Sequence, residues 1–296
     1  MTDATRAERP SVPTQALYDP RRTLTVRVEF VRQLRRRRTI IAFAVGILLP
    51  LIVVAAVKLG PSSSGNGGGF GGGDLDLVGL ATAGAWNFSF TMLFFGAGFL
   101  LTIIAAMFLG DSVASEASWS TLRYLLAAPV PRRRLLRAKA IVGLLLTAIT
   151  LLILVAASWI IGALAFGTTP LVSPLGASFN VTESWARLAI VAGYIMIVLL
   201  IPAGLAFLMS VLTDVPLGAV GAAVVIIIVL NILDAIEALG SIRDFLPGEY
   251  ANAWVGALNS TIDWETMAKG TAYSLVLFAI LVLIATLRFD RKDITS

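Results

Sequence analysis

The sequence predicts an all-α polytopic membrane protein that crosses the bilayer six times. Hydrophobic residues fill 57% of its 296 positions and charged residues only 14%, against about 25% charged in an ordinary soluble domain. Six apolar runs, 39–59, 86–110, 138–166, 185–212, 216–236 and 270–287, match the roughly 20 residues needed to cross a bilayer core. Nineteen of the 23 Lys and Arg residues fall in segments 1–38, 111–139 and 288–296. Basic residues beside spans mark the cytoplasmic side, so both termini are expected there, as an even number of spans requires. Only Lys58, Arg187, Arg243 and Lys269 fall outside these segments.

Residues 1–20 are polar, carry three prolines and read as a disordered cytoplasmic tail. Residues 21–38, RRTLTVRVEFVRQLRRRR, carry two patterns. Leu24, Val26, Val28 and Phe30 alternate as in a strand, whereas Leu24, Val28, Val31 and Leu34 make a helical stripe. Position decides for an amphipathic interfacial helix, because a lone strand beside a membrane leaves its backbone unpaired. Its arginines suit anionic headgroups and equally serve as a positive-inside anchor for span one. The first apolar run starts 38 residues in and lacks a small-x-small cleavage site, so it reads as a retained helix and not a cleaved signal.

Loop 60–85 contains GPSSSGNGGGFGGGD, a flexible linker by composition. Gly67 to Gly72 match G-x-G-x-x-G, but the match follows a membrane helix and no dinucleotide fold surrounds it. Pro202 predicts a kink in span four. Thr213-Asp214-Val215 is so short a link that spans four and five must form an antiparallel hairpin, with Pro216 in the first turn of span five. Gly218 and Ala222 give that span a small-xxx-small contact face. Thr91, Thr102, Thr147, Thr150 and Ser158 suit interhelical hydrogen bonds. In 237–269, Leu239, Ile242 and Leu246, then Trp254 and Leu258, predict two short helices divided at Pro247-Gly248. These form an outer helical hairpin between spans five and six. Trp86, Trp185, Trp254 and Trp264 fall where an outer aromatic belt is expected.

The chain has no histidine and no cysteine. That excludes disulfides, thiol chemistry, histidine-based triads and H-E-x-x-H zinc sites. No G-x-x-x-x-G-K-[ST] loop occurs, which excludes ATP hydrolysis by that route. No catalytic, cofactor-binding or metal-binding residue is therefore assigned, and no nucleic-acid partner is expected. Asn231, Asp234 and Glu237 recur every third residue near the outer end of span five and share one helical side. Asn87 lies at the head of span two. Asn87, Asn231 and Asp234 are the candidate cargo-path residues, since membrane-embedded polar groups face a bundle interior or water. The competing reading is a hydrated helix end.

The most informative stretch is Asp111 to Lys139, DSVASEASWSTLRYLLAAPVPRRRLLRAK. As a helix over 115–128 it aligns Trp119, Leu122 and Leu126 on one stripe beside Leu125. Glu116 and Arg123 lie on other faces. Pro129 and Pro131 stop the helix, and Arg132, Arg133, Arg134 and Arg137 lead into span three. Such a helix either lies flat on the membrane or offers its stripe to a groove on another protein.

These residues resemble the membrane subunits of ATP-binding-cassette exporters of the ABC-2 permease class. The resemblance rests on Glu116, Ser120-Thr121-Leu122-Arg123, Leu125-Leu126, Pro129-Val130-Pro131-Arg132 and Lys139. Ser120 stands where the family has Gly, and Pro131 where it has Ser. The resemblance implies that residues 21–296 form one six-span permease domain whose coupling helix lies between spans two and three. Glu116, Thr121, Leu122, Arg123, Leu126 and Pro129 would then contact a separate ATPase subunit that binds ATP and Mg. Trp119, a large aromatic on the exposed stripe, adds an anchor. It further implies a second permease copy or paralogue, a lipid-embedded site in a cell membrane, and export of a drug, antibiotic, lipid or glycolipid. Arginine in place of lysine at most basic positions hints at a GC-rich bacterial source and hence the inner (plasma) membrane. The alternative is a secondary transporter driven by an ion gradient, which requires ionisable residues deep within spans.

Overall fold

The computed structural model describes residues 26–59, 77–118, 132–173 and 177–291. These residues are 88% helical, and six helices are long and apolar enough to cross a membrane. Span one is Arg37–Leu59, span two Ala85–Glu116 and span three Arg133–Phe166; spans four, five and six are Val181–Leu212, Pro216–Asp234 and Trp264–Arg291. The expected 1–20 tail and most of the Gly-rich linker lie outside the described residues. The exception to the all-α expectation is a two-residue antiparallel ribbon between spans three and four, with Leu171 opposite Phe179 and Val172 opposite Ser178.

Spans two and four form the centre of the bundle. Span four packs against spans two, five and six, while span three packs against one and two. Phe108, Leu109, Leu146, Leu154, Phe207 and Val211 fill the shared core. Spans one, five and six are mostly uncovered and present Ile41, Ile52, Val225, Ile232 and Leu283 outward. Helices that are apolar on every side and bare on one are solvated by acyl chains. Gly162 permits a close approach of spans two and three: a Cβ there would sit 3.1 Å from Ala85 Cα and 3.0 Å from the Phe88 ring.

Two helices depart from regular geometry. Residues Gly96–Leu100 of span two form a π-turn, in which the Leu101 amide bonds to the Gly96 carbonyl. Span four breaks at Leu199, between Val181–Val198 and Leu200–Leu212. The cause is Pro202, which has no N–H for the carbonyl of Val198 four residues earlier. The expected kink therefore falls one turn before its proline. Near the far end of span two, Ser210 Oγ accepts from the amides of Val113 and Ala114, both at 3.0 Å, so a side chain of span four interrupts the helical ladder.

Several smaller expectations need correction. Thr91, Thr147, Thr150 and Ser158 donate to carbonyls one turn back in their own helices, so they satisfy themselves locally instead of bridging helices. Within the chain, span five packs inward through Ala219, Ala223 and Ile227 and not through Gly218, which is exposed and remains open to a contact between subunits. Of the four belt tryptophans, Trp185 and Trp264 are exposed, but Trp86 and Trp254 are buried. Trp86 stacks edge-on against Trp185 and Trp159, at 4.8 and 5.8 Å between centroids, which makes it an interhelical packing group.

The segment between spans five and six forms three short helical pieces, Glu237–Phe245, Pro247–Ala251 and Ala253–Leu258. The chain divides at Pro247 as expected, with a further break at Asn252. The last piece is fastened by Arg187 of span four. Its guanidinium donates to the carbonyls of Ala257 and, at 2.7 Å, Asn259. It also pairs with Glu183 at 2.8 Å and lies over the Phe179 ring at 3.8 Å. Replacing Arg187 with Ala should open 253–263 to limited proteolysis, whereas Lys269→Ala, which removes only an exposed pair, should not.

Candidate functional sites at the basic end and in the bundle

The N-terminal helix, Val26–Leu34, is a helix as its position required. It is turned opposite to a helix on a soluble protein: Glu29 and Gln33 are buried, while Val28, Val31 and Leu34 are exposed. Its apolar stripe is left for lipid and its polar face is pressed into the bundle. The reason is a cluster of charges contributed by three elements.

Lys139, near the start of span three, donates to Glu116 of span two at 2.6 Å and to Glu29 at 3.4 Å. Arg32 pairs with Glu29 at 2.7 Å and also with Glu116. Gln33 Nε2 donates to the Glu29 carboxylate at 3.0 Å. Glu29, Glu116 and Lys139 are each at most 3% exposed. Glu29, Glu116 and Lys139 thus neutralise one another away from water, with half-exposed Arg32 closing the group from outside, which makes burial of ions tolerable. A second group beside it joins Arg36 to Asp111 at 3.2 Å, with Arg38 on the same carboxylate. Farther along, Arg133 binds Asp290 at 2.9 Å and ties span three to the end of span six.

The cluster lies at the charged ends of spans two and three. Span two has 32 residues and span three 34, whereas about 20 residues suffice to cross. The surplus is at the basic end, where Asp111, Glu116 and Lys139 project. Burial pushes the Glu29 carboxyl up, but Lys139, the Gln33 amide and Arg32 together outweigh it and hold the group below its ordinary range.

Glu116 was expected in the docking helix over 115–128. It lies in the last described turn of the helix that continues span two, and its carboxylate accepts from Lys139. The other docking candidates, Trp119, Thr121, Leu122, Arg123, Leu126 and Pro129, lie outside the described residues. The pair Glu116–Lys139 therefore closes the base of the segment that carries them.

A second candidate site lies between the π-turn of span two and the break in span four. Ala97, Gly98 and Thr102 face Val198, Leu199 and Pro202 across a cavity of about 60 Å³, which Asn231 and Asn252 also border. The Thr102 hydroxyl donates to the Ala97 carbonyl at 3.1 Å, satisfying a group displaced by the π-turn. Among the described residues, no ionisable side chain lines the cavity. Interrupted membrane helices persist where they border a cavity, and two interruptions here share one.

Of the three cargo-path candidates, only Asn231 borders this space. Asn87 is used structurally: its amide donates to the Val172 carbonyl at 2.6 Å and accepts from the Val172 amide at 3.1 Å, which pins the ribbon to span two. Asp234 lies 3.9 Å from Arg243, and a Cβ at Gly248 would meet its carboxylate at 2.7 Å. It anchors the segment after span five. Sequence reasoning missed Glu29, Arg32 and Arg187, which looked like ordinary charges of a solvated or positive-inside segment. The signal available was the Glu29–Arg32–Gln33 spacing, which puts all three on one helical face.

The family model described as "Protein of unknown function (DUF2705)" matches residues 74–295. The chain belongs to this family. The match takes in spans two to six, with Glu116, Lys139 and the interrupted-helix cavity; the N-terminal helix and span one lie before it. A comparison with curated proteins finds no match.

Replacing Lys139 with Met should destabilise the protein by about 3–5 kcal/mol, the cost of leaving a buried partner charge uncompensated, measured by thermal unfolding in detergent. The pH dependence should also change. Glu29 is held below its ordinary range, so wild-type stability is full above that range and is lost as pH falls through the depressed folded value. Without Lys139 the largest of the effects that lower the Glu29 carboxyl is removed, so the loss of stability on acidification should be smaller in the variant than in the wild type.

Proposed function

We propose that this protein is the membrane permease subunit of an ATP-driven exporter of the ABC-2 class, working with separate ATPase subunits and a second permease copy or paralogue. The observation that carries this reading is the closed base of segment 117–138. A partner that moves this segment would move the ends of spans two and three together, because Glu116 and Lys139 are bonded. The N-terminal helix would follow through Glu29 and Arg32. This suits a lever that receives force from outside the chain. The sequence pattern from Glu116 to Lys139, described above, identifies the partner class as an ATPase subunit that binds ATP and Mg.

On this reading the basic end is cytoplasmic, in keeping with the basic residues flanking its spans. The N-terminal helix rests its Val28–Val31–Leu34 stripe on the membrane surface, and the 237–258 segment caps the outer face. Cargo passes the cavity between the interrupted helices. Its lining is apolar with Thr102, Asn231 and Asn252 as hydrogen-bonding groups, which favours a hydrophobic or amphipathic compound whose passing portion is uncharged. A gradient-driven secondary transporter needs titrating groups along the route; the buried carboxylates here are at the end of the bundle, bonded to cations.

Replacing Trp119, Leu122 and Leu126 with Glu should abolish co-purification with a co-expressed ATP-binding-cassette ATPase subunit and leave membrane insertion intact. Unchanged ATPase recovery would contradict the docking role. Single cysteines at Ser64 and Ser260 should label from outside intact cells and one at Ser120 only after permeabilisation. The reverse pattern would contradict the orientation.

A further inference from the structure

Where spans four and six end at the basic side, a groove of about 530 Å³ opens between Val211 and Leu212 on one wall and Ile284, Leu287, Arg288 and Arg291 on the other. It is separate from the charge cluster and from the cavity between interrupted helices, and nothing in the transport reading uses it. Its size is within the range of small-molecule sites. Ile284, Leu287, Arg288 and Arg291 follow helical spacing and form one face of span six. That face changes from apolar to cationic as it leaves the membrane. Ile284, Leu287 and Leu212 are exposed, so the apolar part is bare. The nearby acid on the same helix, Asp290, accepts from Arg133 of span three at 2.9 Å and does not line the groove.

We propose that this groove binds an anionic membrane phospholipid. The phosphate sits between Arg288 and Arg291, and one acyl chain descends along Leu287, Ile284 and Leu212. Charge complementarity selects the occupant. Two guanidiniums one helical turn apart attract a phosphate and hold it with charge-assisted hydrogen bonds, and their position at the end of an apolar wall matches the level of a lipid headgroup. A zwitterionic lipid supplies the same chain but less net charge, and free phosphate supplies the charge without a chain. Both bind more weakly. The bound lipid would wedge spans four and six together at the basic end.

Full-length protein in a mild non-ionic detergent is titrated with phosphatidylglycerol, phosphatidylcholine or inorganic phosphate, and bound lipid is counted by native mass spectrometry. Phosphatidylglycerol should bind more tightly than phosphatidylcholine, and excess phosphate should not displace it. The R288Q/R291Q variant should weaken phosphatidylglycerol about 30-fold, surface arginines contributing about fivefold each. Leu287→Asn, at an exposed position, should weaken it as well and serves as the test if the double variant fails to fold. R35Q/R137Q, which removes equal charge elsewhere on the basic end, should have no effect. Equal affinity in wild type and R288Q/R291Q, an equal loss in R35Q/R137Q, or displacement by phosphate would each overturn the proposal. So would a dimer that shields a cysteine at Leu287 while no phosphatidylglycerol binds, since the groove would then hold a second copy.

Discussion

Four charges at one end of the bundle, Glu29, Arg32, Glu116 and Lys139, constrain the rest of the architecture. None of the three buried members could remain ionised there alone, since an unpaired buried charge costs several kcal/mol. Their mutual neutralisation fixes where the N-terminal helix lies and which face it turns inward, and it holds the last turn of span two against the beginning of span three. A helix with an exposed apolar stripe follows from that constraint: once Glu29 and Gln33 point inward, Val28 and Val31 must point out, which only a lipid surface makes favourable. The second ionic group, Arg36 and Arg38 on Asp111, repeats the arrangement between span one and span two. The basic end is thus cross-braced by ion pairs, while the membrane-embedded body is held by packing of Phe, Leu, Ala and Gly.

The body of the bundle is irregular where the basic end is rigid. The π-turn at Gly96–Leu100 and the break at Leu199 sit opposite one another in the two most buried spans and share one cavity. Ser210 of span four accepts from two amides in the lower part of span two. Each irregularity weakens a helical ladder, so bending is concentrated at defined levels between the cross-braced end and the 237–258 cap. In the proposed exporter, force applied at segment 117–138 would reach the cavity through span two, whose π-turn lines it. The lipid groove between spans four and six places a third element on this route, at the end of the helix whose break lines the cavity.

Much of the architecture was legible in the sequence because it follows from length and polarity alone. Spans at 216–236 and 185–212 differ from the observed Pro216–Asp234 and Val181–Leu212 by a turn or less. The link at Thr213–Val215 and the N-terminal helix were dictated by chain reach and backbone hydrogen bonding. What stayed hidden depends on which neighbour a side chain meets. Glu116 and Lys139 were visible as parts of a motif, but their pairing with Glu29 requires two helices to fold back from distant positions. Asn87 reads as a polar group in a membrane helix whether it lines a path or, as here, pairs with the backbone of Val172. The π-turn has no sequence signature beyond two glycines, and the position of the span-four break was displaced by the carbonyl that Pro202 cannot bond. Arg187 looked like one of a few outer cations, and only the fold reveals the carbonyls of Ala257 and Asn259 waiting for it.

The coupling of spans two and three through one ion pair is most directly measured by a double-mutant cycle on thermal stability, using Glu116→Gln, Lys139→Met and the combination in the full-length protein. Residues within one buried ionic network show interaction energies of about 0.5–3 kcal/mol. The account predicts a value in the upper half of that range, with the double variant more stable than the sum of the single losses implies. Losses that add to within about 0.5 kcal/mol would mean that Glu116 and Lys139 act independently, and the segment between them would have no shared base through which to move the two helices.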